Sequence, residues 1–282
     1  MMSAVRPILT SIPSPELSTL SPEQYELVRR KVLALVNIDL AHYKSRQMQR
    51  RLNALLTRSG KASWEEYFLH LERNPEALRS FKAYLTINVS RFFRDRPKWD
   101  HLAGQVLPEL LQERRRLRIW SAGCSNGAEA YTLAMILHDL GAIDTGHYIL
   151  ATDIDTDVLE KAKQGGPYTR EDVQEVPTHH LATHFDVEDE FYRVRPDLRA
   201  RVRFRHHDLL NDPFEKSFDL IVCRNVVIYF TDEAKKTLYR RFADSLREGG
   251  ILFVGGTETI PFLHRLPLRP TAISFYRKTD PR

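Results

Sequence analysis

The residues able to do chemistry are concentrated in a few short stretches. "IWSAGCSNGAEAY", residues 119–131, joins an apolar run to a helical pattern through Gly123-Cys124-Ser125-Asn126-Gly127. Glycines at such a turn let a ligand approach the backbone closely. The next apolar run, "YILATDID", ends on Asp153, thirty positions beyond Gly123. An acidic residue at the tip of a second strand accepts hydrogen bonds from ribose hydroxyls. Asp155 is placed to cap the following "TDVLEKAK" helix. NAD and S-adenosylmethionine both use this layout. The loop departs from G-x-G-x-x-G, because Ser125 stands at the second glycine. Glu129, early in the helix, would repel a pyrophosphate yet accept from an ammonium group. These residues favour S-adenosylmethionine; the simpler alternative is a tight strand-to-helix turn.

"FDLIVCRNVVIYF" ends an apolar run on Arg224 and Asn225. Open α/β sheets bind ligands at the carboxyl ends of their strands. Tyr229 follows within one short turn; taken alone it reads as a core tyrosine whose hydroxyl reaches solvent. In "NVSRFFRD", residues 88–95, Phe92 and Phe93 lie between Arg91 and Arg94. Alone, that stretch reads as a helix running into a loop ahead of Pro97, with solvated arginines. The eleven histidines include His179-His180 and His206-His207. On a strand, adjacent side chains face opposite ways, and no H-E-x-x-H spacing occurs, so no metal is expected.

Elements of two kinds must position these residues. Residues 21–94 carry helical periodicity: Ser21 as N-cap with Pro22 behind it, then Tyr25, Val28, Val32, Leu35 and Val36 at three- and four-residue steps. "YKSRQMQRRLNALLTRSG" follows, with Gly60 as its stop, then "SWEEYFLHLERN" and "EALRSFKAYLTIN". This is a small all-α domain. Residues 1–20, rich in Ser and Pro, read as a flexible tail rather than a signal peptide. Residues 95–116 read as a linker. From Leu117, the runs "LRIWSAG", "YILATDID", "FDLIVCRN" and "ILFVGG" alternate with helical segments, and "AISFYRK" reads as a last strand. Such alternation implies an α/β fold, a doubly wound, mostly parallel sheet over 117–282. Within 167–207, "EFYRVRP" and "RVRFRH" alternate apolar and charged residues, suggesting short antiparallel strands in an inserted β-subdomain.

Two cysteines, Cys124 and Cys223, exclude a disulfide framework and a zinc-thiolate cluster and fit the cytoplasm. No run approaches the roughly 20 apolar residues of a membrane span. The net charge of +5 permits an acidic partner.

Together, "NVSRFFRD", "IWSAGCSNGAEAYTLAM", "ATDIDTDVLEKA" and "CRNVVIYF" resemble the CheR family, chemotaxis-receptor glutamate O-methyltransferases that use S-adenosylmethionine. The similarity runs from about Ser21 to Lys278. It implies a helical N-terminal domain that docks on the receptor, then a doubly wound methyltransferase domain carrying a small antiparallel β-subdomain. It implies that Arg94 enters the active site and lies, with Asn88 and Ser90, at the cofactor. Glu129 and Asp153 match the family's acidic cofactor contacts, alongside Gly123. Asp208 and Leu209 match its adenine-side contacts, and Asn225 and Val226 the contacts after the third core strand. Tyr229 matches the tyrosine near the transferred methyl, so Arg94 and Tyr229 are the catalytic candidates. The family loop usually reads Gly-Glu-Glu-Pro-Tyr-Ser; here it is Gly127-Ala128-Glu129-Ala130-Tyr131-Thr132, which keeps Glu129 alone of the two acids.

The expected reaction is methyl transfer to glutamate carboxylates of a chemoreceptor by a cytoplasmic monomer, giving methyl esters and S-adenosylhomocysteine. The nucleophile, with a pKa of about 4.3, is already ionised at neutral pH, so no general base is required. Between Asp39 and Glu65 there is no acid but six bases: Lys44, Arg46, Arg50, Arg51, Arg58 and Lys61. Lys44, Arg46, Arg50 and Arg51 share a broad helical face, the candidate surface for the receptor's acidic methylation region. Amino-group methylation of nucleic acid commonly uses Asn-Pro-Pro-aromatic after the third core strand; "RNVVIYF" lacks the prolines, and the basic helix offers little aromatic surface beyond Tyr43. A non-catalytic cofactor-binding regulator is the other alternative, opposed by the presence of Arg94 and Tyr229. In some family members the β-subdomain grips a receptor C-terminal peptide through a Gly-containing loop. Here "HFDVEDEFYRV" is short, lacks Gly and carries Asp186, Glu188, Asp189 and Glu190, so tether-independent action is expected.

Overall fold

The computed structural model describes residues 20–256 and 258–280, so the expected tail lies almost wholly outside the described residues. The chain forms two compact units, one ending at Asn74 and one beginning at Pro75.

The first unit contains α1 (Pro22–Val36), α2 (Ser45–Ser59) and α3 (Trp64–Arg73). The Ser21 side chain accepts from the Gln24 amide while the Gln24 side chain accepts from the Ser21 amide, a reciprocal cap with Pro22 behind it. Gly60 ends α2 in the left-handed region, at φ 68. Val28, Val32, Met48, Leu52, Phe68 and Leu71 are buried, and Trp64 stacks on Phe68 at 5.5 Å. With Met48 and Leu52 inward, helical periodicity turns Arg46 and Arg50 outward, and both are exposed.

The second unit begins with α4 (Pro75–Thr86), α5 (Arg96–His101) and α6 (Leu107–Glu113). A wide π-type turn, Leu102–Val106, joins α5 and α6. Residues 95–116, expected as a linker, are therefore mostly helical. Trp99, Leu102, Val106, Leu107 and Leu110 recur at helical steps and are buried. Pro97 and Pro108 disguise the pattern, but Pro97 sits in the first turn of α5, where an N–H is dispensable, and Pro108 follows directly on the π-type turn, where the regular hydrogen-bond ladder is already interrupted.

There follow β1 (Arg118–Ala122), α7 (Ala128–Asp139), β2 (Tyr148–Asp153), α8 (Thr156–Lys163), α9 (Thr178–His184), β3 (Phe185–Glu188), β4 (Phe191–Val194) and α10 (Pro196–Arg199). The chain continues with β5 (Val202–His206), β6 (Phe218–Cys223), α11 (Asp232–Ser245), β7 (Leu246–Val254), β8 (Leu268–Ala272) and β9 (Phe275–Lys278). The seven-stranded sheet has the order β5-β2-β1-β6-β7-β9-β8. Its pairs are parallel except where β9 meets β7 and β8. Every residue of β6 is buried, as a strand covered on both faces requires. Helix α7 is buried from Ala128 to Leu137, which is why its sequence is apolar on every face apart from Glu129 and Thr132.

Two sequence expectations are corrected. "RVRFRH" is β5, a parallel edge strand of the main sheet beside β2, not part of an antiparallel insertion. Its alternation reflects an edge with one covered face: Phe204 closes on the α7 N-terminus, where a Cβ on Gly127 would lie 3.2 Å from its ring. Only β3 and β4 form the separate antiparallel pair, joined through the two residues Asp189 and Glu190. Val187 and Phe191 on that hairpin are exposed. His179 and His180, treated as strand residues, lie on α9 instead.

Candidate active site

The strand order reverses between β1 and β6, the switch point where open parallel sheets leave a crevice beyond their carboxyl ends. The loops after the two strands touch. A Cβ on Gly123 would sit 2.5 Å from Val226 Cγ2, and Gly123 holds φ +80, so glycine is required there twice over.

The β2 tip is tied into the same crevice. Asp153 Oδ2 accepts from the Ser125 amide at 2.8 Å and its Oδ1 from the Asp155 amide at 3.0 Å. Ser125 adopts φ 50 in that turn, and its hydroxyl is buried without a partner. Burial raises the Asp153 pKa, opposed by these N–H donors. Asp155 caps α8 through the Asp157 amide, as its position suggested.

Glu129, only 8% exposed, accepts from Ser121 Oγ at 2.7 Å and lies 3.7 Å from Arg224 Nη1. Burial pushes its carboxyl above the ordinary range; Arg224 and Ser121 oppose this. Arg224 is itself nearly enclosed, its side chain 3% exposed. It donates from Nη2 to the Arg94 carbonyl at 2.8 Å and to Asp95 Oδ2 at 2.6 Å. Its guanidinium lies over Trp99 and Phe253, 5.1 and 5.0 Å from their centroids.

This arrangement explains the paired phenylalanines. Phe92 is fully buried, edge-on to Tyr168 and Phe185. Phe93 stacks on His180, and its amide donates to Thr132 Oγ1 at 3.2 Å. Trp99 Nε1 donates to the Arg94 carbonyl at 2.9 Å beside the Arg224 bond. The Arg94 backbone is thus pinned from both sides, while its half-buried side chain makes one long bond, 3.3 Å to the Val89 carbonyl.

The other candidates are placed as follows. Asn88 Nδ2 donates to Asp155 Oδ2 at 2.6 Å, and the Ser90 carbonyl accepts from Asn126 Nδ2 at 3.2 Å. Both bonds tie this segment to the β1 and β2 loops. Asn225 stands in the left-handed region at φ 59. Asp208 spends its carboxylate on its own turn, accepting from Leu210 and Asn211, and the Leu209 carbonyl accepts from Arg241. Tyr229 is half-buried in the turn Val227–Tyr229. Contacts among the loops gather Gly123, Glu129, Asp153, Val226 and Arg94; no hydrogen bond among the described residues joins Tyr229, Asp208 or Leu209 to them.

Sequence reasoning noted Arg224 without assigning it a role, and it missed Glu258. Glu258 Oε2 accepts from the Gly255 amide at 2.5 Å and from the Asn225 amide, bracing the β6 and β7 tips. Its Oε1 is buried without a partner, and burial raises its pKa. The available signal was an ionisable residue just beyond the carboxyl end of an apolar strand.

Comparison with known proteins gives the family. Residues 88–272 match the CheR methyltransferase SAM binding domain, and residues 23–86 the CheR methyltransferase all-alpha domain. The chain belongs to the CheR methyltransferase family. A chemotaxis protein methyltransferase of Listeria monocytogenes is 45% identical over 84% of this chain and 90% of its own length. Chemotaxis protein methyltransferase 2 of Pseudomonas aeruginosa is 35% identical over 90% of this chain and 94% of its own. As a CheR methyltransferase the protein is S-adenosylmethionine-dependent, and the chemistry of the crevice fits that cofactor: two nearly buried carboxylates, Glu129 and Asp153, and the unpartnered Ser125 hydroxyl are groups able to accept from a cationic end and from ribose hydroxyls. No helix among the described residues is long and apolar enough to cross a membrane.

Proposed function

We propose that this CheR methyltransferase esterifies glutamate side chains in the cytoplasmic methylation region of a chemoreceptor, leaving S-adenosylhomocysteine as the other product. The observation that carries the reading is Arg94, whose backbone is locked by Arg224 and Trp99 next to the Glu129 pocket while its side chain stays lightly engaged. A guanidinium so placed suits a substrate carboxylate.

Bound in the crevice, the cofactor supplies a methyl group on a positively charged sulfur. Glu129 would accept from its ammonium group and Asp153 from its ribose hydroxyls, and Gly123, Asn88, Ser90, Arg94, Asn225, Val226, Asp208 and Leu209 would be the further residues that hold it. Arg94 holds one oxygen of the substrate carboxylate while the other is left to attack. Tyr229 orients the reactants. The charges of carboxylate and sulfonium cancel as the reaction proceeds, so strong charge pairing would stabilise the reactants instead of the transition state. Alignment is the main task.

The exposed Arg46 and Arg50, with Lys44 and Arg51, supply the positive face that docks the acidic receptor helix. The short acidic β3–β4 connection supports docking without a C-terminal tether; titration with a receptor C-terminal pentapeptide tests this, and micromolar binding would refute it. Incubation with methyl-labelled cofactor and host membranes tests the function. Base-labile label on a membrane protein is expected; label on RNA would overturn the reading.

A further inference from the structure

A cluster of imidazoles lies at the end of α7 remote from the cofactor crevice. Asp139, the last residue of α7, is ten positions beyond Glu129, about 15 Å along the helix. Its Oδ2 lies 3.0 Å from His180 Nε2 and 3.4 Å from His179 Nε2, both on α9. One ligand atom from each of the three residues lies within 4.8 Å of the others. Metal–donor distances of about 2.0–2.1 Å in a tetrahedral site separate neighbouring donors by about 3.3 Å. The two carboxylate–imidazole separations bracket that value.

A second observation comes from the buried rings behind the cluster. His180 is 1% exposed, and its Nδ1 has no hydrogen-bond partner. His184, one turn on and also 1% exposed, has no partner at either nitrogen. It packs against His180 at 5.4 Å and edge-on to His138 at 4.7 Å between centroids. A neutral imidazole always carries one N–H and one acceptor, so both kinds of group are stranded there. Buried polar groups without partners call for an explanation; an ion held at His180 Nε2 would not pair its Nδ1, so these nitrogens mark an imidazole-rich surround while the three close donor atoms define the site. The carbonyl end of α7 also favours a cation at this place.

We propose that Asp139, His179 and His180 form a binding site for a divalent transition-metal ion of the zinc type, with His138 and His184 flanking it. Imidazole and carboxylate donors suit Zn²⁺ or Co²⁺ over Ca²⁺ or Mg²⁺. A bound ion would clamp α9 to the end of α7 beneath Phe93, which stacks on His180 at 5.6 Å. The site is separate from methyl transfer and does not depend on the identity of the methyl acceptor.

The test is calorimetric titration of untagged full-length protein with Zn²⁺, paired with the visible absorption of the Co²⁺ form. His179 and Asp139 have side chains 63% and 43% exposed, so His179→Ala and Asp139→Asn should fold, which unchanged metal-free melting would verify. The proposal expects saturable one-to-one binding, a melting temperature raised by Zn²⁺, and affinity lowered more than about tenfold in each variant. Absence of saturable binding, or binding that both variants leave unchanged, would overturn it.

Discussion

Replacing Arg224 by Met tests whether that residue holds the crevice together. Met keeps much of the volume and can still contact Trp99 and Phe253, so the main loss is electrostatic. The Arg94 carbonyl loses the donor at 2.8 Å but keeps Trp99, and a bond to a charged donor contributes about 1.5–3 kcal/mol. Asp95 is 46% exposed, so losing its 2.6 Å bond adds only about 0–1 kcal/mol. The two cation–π contacts contribute about 0.5–1 kcal/mol each, partly replaced by sulfur contacts. Glu129 is left buried without its nearest cation, the costly way to break a buried pair. The expected loss is about 3–6 kcal/mol, or a fall of roughly 6–24 °C in Tm for a unit of this size. The Glu129 pKa, already raised by burial, should rise further, so the loss of cofactor affinity should grow as pH falls. Thermal denaturation and calorimetric cofactor titration at several pH values measure both effects. A loss below about 1 kcal/mol with unchanged cofactor affinity would refute the reasoning.

Asp153→Ala should weaken cofactor binding by about 1–3 kcal/mol through unpaired ribose hydroxyls; unchanged affinity by calorimetry would put the site elsewhere. Glu129 must be ionised to accept from an ammonium group. Its raised pKa means affinity should fall as pH drops toward that pKa, and Glu129→Gln should bind weakly with a flat profile. The buried His207 has the opposite sign, its pKa lowered by burial, so the folded state binds fewer protons than the unfolded. Its contribution to stability is complete above about pH 6.5 and is lost as pH falls through the depressed folded value, so His207→Gln should flatten the acid limb of the Tm profile. Reversing Arg46 and Arg50 to Glu should impair receptor methylation, most at low salt, and spare cofactor binding; equal loss of both would make α2 purely structural.

The sheet was legible because its strands are buried on both faces and so read as unbroken apolar runs, as in "FDLIVC". Caps were legible too, since Ser21, Asp155 and Gly60 act through neighbours in the chain. What failed depended on partners distant in sequence. Prolines hid α5 and α6, and the alternation of β5 reported one covered face without showing which strand covered it. At the site, the places of Asp153 at the β2 tip and of Glu129 in the first turn of α7 were readable, because strand tips and the helices that follow them have fixed positions in such folds. Arg224 pinning Arg94 across 130 positions, and Glu258 bracing Asn225, were not, because their roles exist only once the loops meet. The histidines of α9 were misread for a related reason: adjacent side chains diverge on a strand but here both reach one carboxylate from a helix.

The most direct test of the central claim is residue-level mass spectrometry of a purified chemoreceptor methylation region after incubation with S-adenosylmethionine and either wild-type protein or Arg94→Ala. The account predicts methyl increments on glutamate, removed by mild base, with wild type. Arg94→Ala should produce none while keeping its Tm close to wild type. Methylation by the variant at an undiminished rate, or increments on other residues that resist base, would contradict it.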